Sequence, residues 1–201
     1  QKEFYINDAG NQIDNLAASV EARYLELLGQ TVEFPEDGYH GKDIIDTAQR
    51  IIDNSGSRYL LVSPAERREI FKQIALEEKL AALKEDLESF GVTFDVWFSE
   101  RSLFADDAVA AACAQLREKG FAYDKDGAFW LRSTAFGDDK DRVIIRDNGV
   151  PTYFASDIAY HDNKFRRGFE KVINIWGADH HGYIPRMKAA MAALGYDPER
   201  L

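Results

Sequence analysis

Apolar side chains recur at the spacing of a helix over most of this chain. The clearest helix start is Ser63-Pro64-Ala65-Glu66, which offers a serine cap, a proline at the first position and a glutamate three residues after the cap. An apolar stripe from Ile70 to Leu87 continues this helix. The same periodicity predicts helices over residues 14–28, 42–53, 64–90, 105–119, 153–164 and 183–194.

Shorter runs of aromatic and β-branched residues predict strands at 4–6, 94–98 and 172–176. Hairpins are predicted over 121–136 and 142–153, with turns at Asp126-Gly127 and Asn148-Gly149, because these pairs suit left-handed turn positions. The run at 172–176 stops at Gly177, polar residues follow, and a helix comes next. Such a unit places its loop at the carboxyl end of a strand, where open α/β sheets bind ligands.

Length, charge and cysteine content narrow the class of protein. The 201 residues, 45% of them apolar, can bury one sizeable core or two small ones. The net charge of −10 argues against a broad phosphate-neutralising surface. Cys113 is the single cysteine, which excludes an internal disulfide framework and fits a reducing compartment. No apolar run approaches the ~20 residues that span a bilayer, so the sequence predicts a soluble, cytoplasmic protein.

Polar clusters gather towards both ends of the sequence, whereas residues 31–135 are rich in charged helices and carry little that looks like a site. This distribution predicts a nucleotide-binding type of α/β fold interrupted by an inserted subdomain. The chain opens at Gln1 directly before a strand and closes at Leu201, where a loop should lead into another element. We therefore expect it to be a piece of a longer protein.

The loop after the run at 172–176 carries Asp179, His180 and His181. Imidazole and carboxylate ligands suit zinc, manganese or iron, but no other His, Asp or Cys cluster of usable spacing accompanies them. Alternatively, Gly177 lets a ligand approach the backbone while the Asp179 carboxylate accepts two ribose hydroxyls. A purely structural loop is a further interpretation.

Tyr153 and Asp157 stand four residues apart on a predicted helix and therefore share a face. A carboxylate there can hold a guanidinium through two parallel hydrogen bonds, and the tyrosine can complete the grip. The alternative is a solvated Asp157 with Tyr153 packed in the core.

Two more polar clusters admit both a structural and a functional interpretation. Residues 7–12 offer amides and a carboxylate beside a glycine, but a strand-to-helix turn capped by Asp8 or Asn11 needs no function. Lys164, Arg166 and Arg167 form a basic cluster that could meet phosphates or lie in solvent.

Three segments, residues 4–12, 151–160 and 176–183, occur in an order and at a spacing that resembles bacterial arginyl-tRNA synthetases, which are class I enzymes. The resemblance runs over essentially the whole chain. It implies an α/β fold, namely a partial Rossmann-type class I synthetase catalytic domain with an inserted α/β connective subdomain. Residues 1–30 and 136–201 would be parts of the catalytic core, and residues 31–135 would be the connective insertion.

The resemblance implies an arginine–tRNA ligase as the parent protein, cytoplasmic and monomeric. Such an enzyme activates L-arginine with ATP and Mg²⁺ and transfers it to tRNA(Arg) in protein synthesis. Carried over by position, Tyr153, Asp157 and His180 would bind arginine, while Gly177 and Asp179 would bind ATP at the adenosine ribose.

The resemblance further implies that Asp8 and Gln12 belong to the pocket wall. The HIGH signature should lie upstream of Gln1 and the KMSKS-type loop downstream of Leu201, so no catalytic residue is expected within the chain. Because both motifs stabilise charge on the α-phosphate, the isolated chain should not form arginyl-adenylate. No tightly bound protein-ligated metal and no membrane partner are expected. The alternatives are a metal-dependent phosphohydrolase of the DHH type and a non-catalytic arginine- or RNA-binding module.

Overall fold

In the computed structural model, which describes residues 1–201, the chain divides into two compact units, Gln1–Ser99 and Glu100–Leu201. Both units contain helices and a small sheet, which confirms the mixed α/β class. The predicted limits of catalytic core and insertion are not tested by this division and stay predictions. None of the helices is both long and apolar enough to cross a membrane.

The first unit pairs two short parallel strands and packs three helices against one another. Strand β1 (Glu3–Ile6) lies beside β2 (Val96–Ser99), with Tyr5 opposite Phe98. Helix α1 (Asn11–Leu27) packs against both α2 (Lys42–Ser55) and α3 (Pro64–Ser89). A short 3-10 helix, Arg58–Leu61, connects α2 to α3. The aromatic centre of the core is Tyr24, Tyr59 and Phe71, whose rings meet edge to face.

Helix α3 forms as its start signal predicts. The Ser63 hydroxyl accepts a hydrogen bond from the Glu66 N–H at 3.2 Å, and Pro64 occupies the first turn. The apolar stripe is shallower than expected, because Phe71 and Ala75 are fully buried whereas the residues of the predicted stripe are only half-buried.

The start of α1 differs from the prediction. Its N-cap is Gly10 at a φ of +82°, and no side chain caps the helix. Asp8 is buried instead and accepts a hydrogen bond from the Ser99 hydroxyl at 2.6 Å. The predicted cap by Asp8 or Asn11 is therefore wrong, since the Ser99 hydroxyl competes successfully for the Asp8 carboxylate.

The second unit opens with α4 (Glu100–Ala105) and α5 (Ala108–Glu118) and continues with a three-stranded antiparallel sheet. The sheet has the order β3 (Ala122–Lys125), β4 (Ala128–Leu131), β5 (Arg142–Ile145). Short 3-10 helices lie at Ser133–Phe136, Ala178–Tyr183 and Pro198–Arg200. Helices α6 (Tyr153–Arg166) and α7 (Ile184–Leu194) complete the unit and pack against each other.

The turns of the second unit follow the sequence only in part. Asp126 and Gly127 both have positive φ, which confirms the first hairpin turn. The second hairpin keeps its turn, but its return arm is a single bridge between Ile145 and Pro151. The helix predicted over 105–119 forms as α5 but begins at Ala108, because Asp107 adopts a left-handed conformation; the short helix α4 before it was not predicted.

The predicted strand at 172–176 does not form a ladder with another strand in this chain. The Val172 N–H bonds the Arg200 carbonyl, while Ile173 and Ile175 are 75% and 96% exposed. β-Branched residues favour an extended backbone, but a strand also requires a hydrogen-bonded neighbour, and sequence periodicity cannot supply that. The extended segment, residues 171–177, nevertheless leads into the polar loop as expected.

Candidate functional site

The centre of the candidate site is the carboxylate of Asp157, on the second turn of α6. The Tyr183 hydroxyl donates a hydrogen bond to Asp157 Oδ2 at 2.6 Å. Burial raises the pKa of Asp157, and this effect is opposed by the Tyr183 hydrogen bond and by electrostatic interactions with Lys164 and His180. No lysine or arginine of the chain forms an ion pair with this carboxylate.

Tyr153 begins α6 and leaves 68% of its residue surface exposed. The core packing considered for Tyr153 is therefore wrong. Its backbone carbonyl accepts a hydrogen bond from the Ser156 hydroxyl, whereas the Asp157 carboxylate is bonded to Tyr183. The two residues lie on one helix as predicted, and an exposed phenol on the same helix as a half-buried carboxylate can still close on a ligand from the solvent side.

The 3-10 helix Ala178–Tyr183 carries the other predicted site residues. The Asp179 side chain is exposed, and its Oδ1 accepts a hydrogen bond from His180 Nδ1 at 3.1 Å. The same oxygen lies only 2.5 Å from the position that a Cβ on Gly177 would take. The His180 ring lies 6.0 Å from the Trp176 ring, centroid to centroid. This arrangement presents a carboxylate and an imidazole together at the surface.

A buried hydrogen-bonded chain ties this loop region to α6. His161 Nδ1 lies 2.7 Å from the Asp157 carbonyl oxygen, which can only accept, so Nδ1 carries the proton. Its Nε2 accepts from Asn174 Nδ2 at 2.6 Å, and Asn174 Oδ1 accepts from Lys164 Nζ at 3.1 Å. Burial is the main cause that lowers the pKa of His161 to about 4, so the ring is neutral.

These partners were missed in the sequence. His161 looked isolated and Lys164 looked like part of a surface cluster, yet both are tied to Asn174. Spacing could have suggested that His161 and Lys164 share a helix face with Asp157. Asn174 and Tyr183 carried no comparable signal, because they reach α6 from a separate segment.

A cavity of about 340 Å³ lies beside the loop, between residues 174–181 and α7. Its lining includes Asn174, Trp176, Gly177, His180, His181, Ile184 and Lys188. Its volume is at the lower end of the range for small-molecule sites, and its wall combines an aromatic ring with a few polar groups. His181 is thus placed at the cavity, although Asp157 and Tyr153 are not part of its lining.

The structure contains no group of three or more His, Cys, Asp or Glu side chains that could hold a metal ion. Asp179, His180 and His181 therefore gather no further ligand.

Asp8 and Gln12 lie in the first unit. Gln12 Oε1 accepts a hydrogen bond from Asn7 Nδ2 at 3.1 Å. Asn7 and Gln12 border a separate groove of about 490 Å³. Their membership in the pocket wall stays a prediction.

The chain is similar to known synthetases over its whole length. The family model for the catalytic domain of class I tRNA synthetases specific for R, arginine, matches residues 4–201. The chain is 62% identical to an arginine–tRNA ligase of Moorella thermoacetica and 61% identical to one of Carboxydothermus hydrogenoformans. Both matches cover 100% of this chain but 36% of the relative, so the chain spans little more than a third of their length.

A solved structure supports the same grouping. A Campylobacter jejuni protein described provisionally as an arginyl-tRNA synthetase superposes with a TM-score of 0.89 at 44% identity. The match covers 99% of this chain and 43% of that protein. The resemblance and the fold class predicted from the sequence are thereby confirmed.

Proposed function

The chain belongs to the catalytic-domain family of class I arginyl-tRNA synthetases, and on this premise we propose that it is part of an arginine–tRNA ligase. The whole enzyme would activate L-arginine with ATP and Mg²⁺ and transfer it to tRNA(Arg). The relatives, which are arginine–tRNA ligases matched over the whole of this chain, favour that function over a phosphohydrolase or a non-catalytic binding module. We expect it to act in the cytoplasm, in protein synthesis.

The observation that carries this proposal is a half-buried carboxylate that has no ion-pair partner. Asp157 is held by a hydroxyl donor, and no side chain of the protein neutralises it through an ion pair. A partly desolvated carboxylate is stabilised when a charged hydrogen-bond donor pairs with it, so this position favours a cationic ligand. A guanidinium satisfies the requirement with two parallel charge-assisted hydrogen bonds.

The remaining predicted residues fit a neighbouring nucleotide. The exposed Asp179 carboxylate can accept ribose hydroxyls, and the missing side chain of Gly177 leaves room for that carboxylate. The cavity next to Trp176 offers an aromatic wall to an adenine ring. His180 belongs to the same 3-10 helix as Asp179 and acts electrostatically on Asp157, and we assign it to the bound arginine or its adenylate.

With both substrates bound, the arginine carboxylate would attack the α-phosphorus of ATP in line, and pyrophosphate would leave. This step requires no covalent enzyme intermediate, and its rate depends on positioning and on charge stabilisation. The residues described here supply the positioning. Tyr153 and Asp157 would fix the guanidinium end of arginine, and Gly177 and Asp179 would fix the nucleoside.

The test is Asp157→Asn in the full-length ligase, measured by arginine-dependent exchange of pyrophosphate into ATP in the presence of tRNA(Arg). Loss of a buried charge partner typically costs about 2–5 kcal/mol, which is more than tenfold in affinity. We therefore expect the KM for arginine to rise more than tenfold, with little change in the KM for ATP.

The matched control is Asp162→Asn. Asp162 is a buried carboxylate of the same helix α6, but Arg166 and Tyr196 already bond it at 2.8 and 2.6 Å. This variant should lose stability and keep the arginine KM. An Asp157→Asn enzyme with an unchanged arginine KM would overturn the assignment, and an unmodified enzyme without arginine-dependent exchange would overturn the function.

A further inference from the structure

We propose that Tyr183 is the positioning residue of the arginine site, and that its hydroxyl sets the orientation in which Asp157 receives the guanidinium. This inference rests on the proposed function and deepens it. Tyr183 was not singled out by sequence spacing, because it bonds Asp157 from 26 residues away. Its role follows from the acceptor positions of the Asp157 carboxylate that this hydrogen bond leaves unoccupied.

The Tyr183 hydroxyl occupies one acceptor position of Asp157 Oδ2, at 2.6 Å. A carboxylate offers about four acceptor positions on two oxygens, so Oδ1 and the second position on Oδ2 remain for a ligand. These are the two acceptors that a bidentate guanidinium needs. With Oδ2 anchored, the plane of the carboxylate is fixed before arginine arrives, and less rotational freedom is lost on binding.

The Tyr183 ring is itself held from several sides. The Trp176 ring lies 5.5 Å and the Phe154 ring 6.0 Å away, both near edge to face. The Arg186 guanidinium stands 4.9 Å from the centroid of the Tyr183 ring and 5.8 Å from that of Phe154. Contacts from α6, from the 171–177 segment and from α7 thus immobilise the phenol that orients Asp157.

The same residue couples the arginine position to the nucleotide position. Tyr183 ends the 3-10 helix that carries Asp179 and His180, whereas Asp157 belongs to α6. The hydrogen bond between them therefore joins the element assigned to ATP to the element assigned to the guanidinium. A shift of either element would rotate the carboxylate that binds arginine.

The coupling has a pH signature. The groups that act on Asp157 are Lys164 of its own helix and Tyr183 and His180 of the 3-10 helix, and Arg186 of α7 stacks on the Tyr183 ring. Arginine requires the ionised carboxylate, and the Tyr183 hydroxyl stabilises that form. Removing the hydroxyl raises the pKa of Asp157, so arginine binding should begin to fail at a higher pH than in the unmodified enzyme.

The experiment is Tyr183→Phe in the full-length ligase, assayed by pyrophosphate exchange across pH. The substitution keeps the ring and its packing. We expect the arginine KM to rise about fivefold or more, as for a lost hydrogen bond to a charged group, and the acid limb of its pH profile to move upward. The KM for ATP should change little.

The matched control is Tyr196→Phe, because the Tyr196 hydroxyl donates to Asp162 Oδ1 at the same 2.6 Å and on the same helix. This variant should leave both the arginine KM and the acid limb unchanged. An unshifted acid limb and an unchanged arginine KM in Tyr183→Phe would overturn the inference, provided that Asp157→Asn impairs arginine use. If Asp157→Asn has no effect either, the proposed arginine site fails with it.

Discussion

At the scale of single residues, Gly177 is important because it has no side chain. Its φ of −65° is open to any residue, so the backbone conformation does not require glycine. The requirement comes from Asp179, whose Oδ1 lies 2.5 Å from the place of a Cβ on residue 177. Gly177 and Asp179 therefore act as a pair, in which the absence of a side chain allows the carboxylate its position.

This pairing predicts the effect of Gly177→Ala. The added methyl group must displace the Asp179 carboxylate, which we assign to the ribose of ATP. A weakened hydrogen bond to a charged group corresponds to about 1.5 kcal/mol, so the KM for ATP should rise about tenfold while the arginine KM stays nearly constant. Steady-state exchange kinetics with each substrate varied in turn would measure both constants.

Gly182→Ala is the control for that substitution. Gly182 lies in the same 3-10 helix, and a Cβ there would meet no atom within 4 Å. Its ATP KM should match that of the unmodified enzyme. Equal ATP constants in the two alanine variants would contradict the role given to Gly177.

At the scale of elements, the segment 171–177 is held in place by side chains rather than by a strand ladder. Its Asn174 amide bonds His161 and Lys164 of α6, and Val172 is buried against the same unit. His161 also donates to the Asp157 carbonyl. The neutral, buried imidazole of His161 thus links, through hydrogen bonds, the helix that carries Asp157 to the segment that leads into the polar loop.

The stabilisation from this His161 link should be lost at acid pH. The pKa of His161 is about 4 in the folded protein against 6.5 for an exposed histidine, so between these values the unfolded state binds the proton first. The stabilisation is complete above pH 6.5 and is lost as the pH falls towards 4. The shift corresponds to about 3 kcal/mol of unfolding free energy.

Denaturant unfolding of the protein and of His161→Gln at several pH values would measure this term. The unmodified protein should be the more stable at pH 7, and the difference should shrink steadily below pH 6.5. Asp157 is present in both proteins, so its own titration cancels in the comparison. A stability difference that does not depend on pH would show that His161 is not the titrating group.

Elements with a complete local signal were predictable, and elements that depend on distant partners were not. The start of α3 is encoded in Ser63 and Glu66, and the first hairpin turn in Asp126-Gly127. The 172–176 segment had strand composition but no strand beside it. The helix predicted over 105–119 forms but starts three residues late, at Ala108, because Asp107 is left-handed, a conformation that an alanine-rich helical pattern does not reveal.

The candidate site shows the same limit. Residues on one helix, such as Tyr153 and Asp157, could be grouped by spacing, and the resemblance gave them a role that stays a prediction. Tyr183 and Asn174 reach α6 across long sequence separations, and only the folded backbone brings them there. The partial burial of Asp157, from which we argue for a cationic ligand, is likewise a property of packing that sequence spacing did not contain.

At the scale of the whole molecule, the chain carries a net charge of −10. Arginine carries a net positive charge and ATP a negative one, so the field of the protein should attract the first and repel the second. For arginine the local charge of Asp157 has the same sign as the global field. For ATP, the positive charge of Lys188 at the cavity opposes the effect of the net negative charge. Arginine binding is therefore the simpler test of the effect of net charge.

Binding of arginine to the 201-residue protein should therefore weaken with salt. Raising ionic strength from ~0.01 to ~1 M shortens the Debye length from about 30 to about 3 Å and removes the contribution of distant acids, so we expect the arginine Kd to rise several-fold. Isothermal titration calorimetry would measure it, with uncharged adenosine as the control ligand whose Kd should stay constant. Asp157→Asn separates local from global charge. If the lower affinity of this variant still depends on salt, the remaining acids cause that dependence. If the arginine Kd of the unmodified protein does not change with salt, attraction by the molecule as a whole is contradicted.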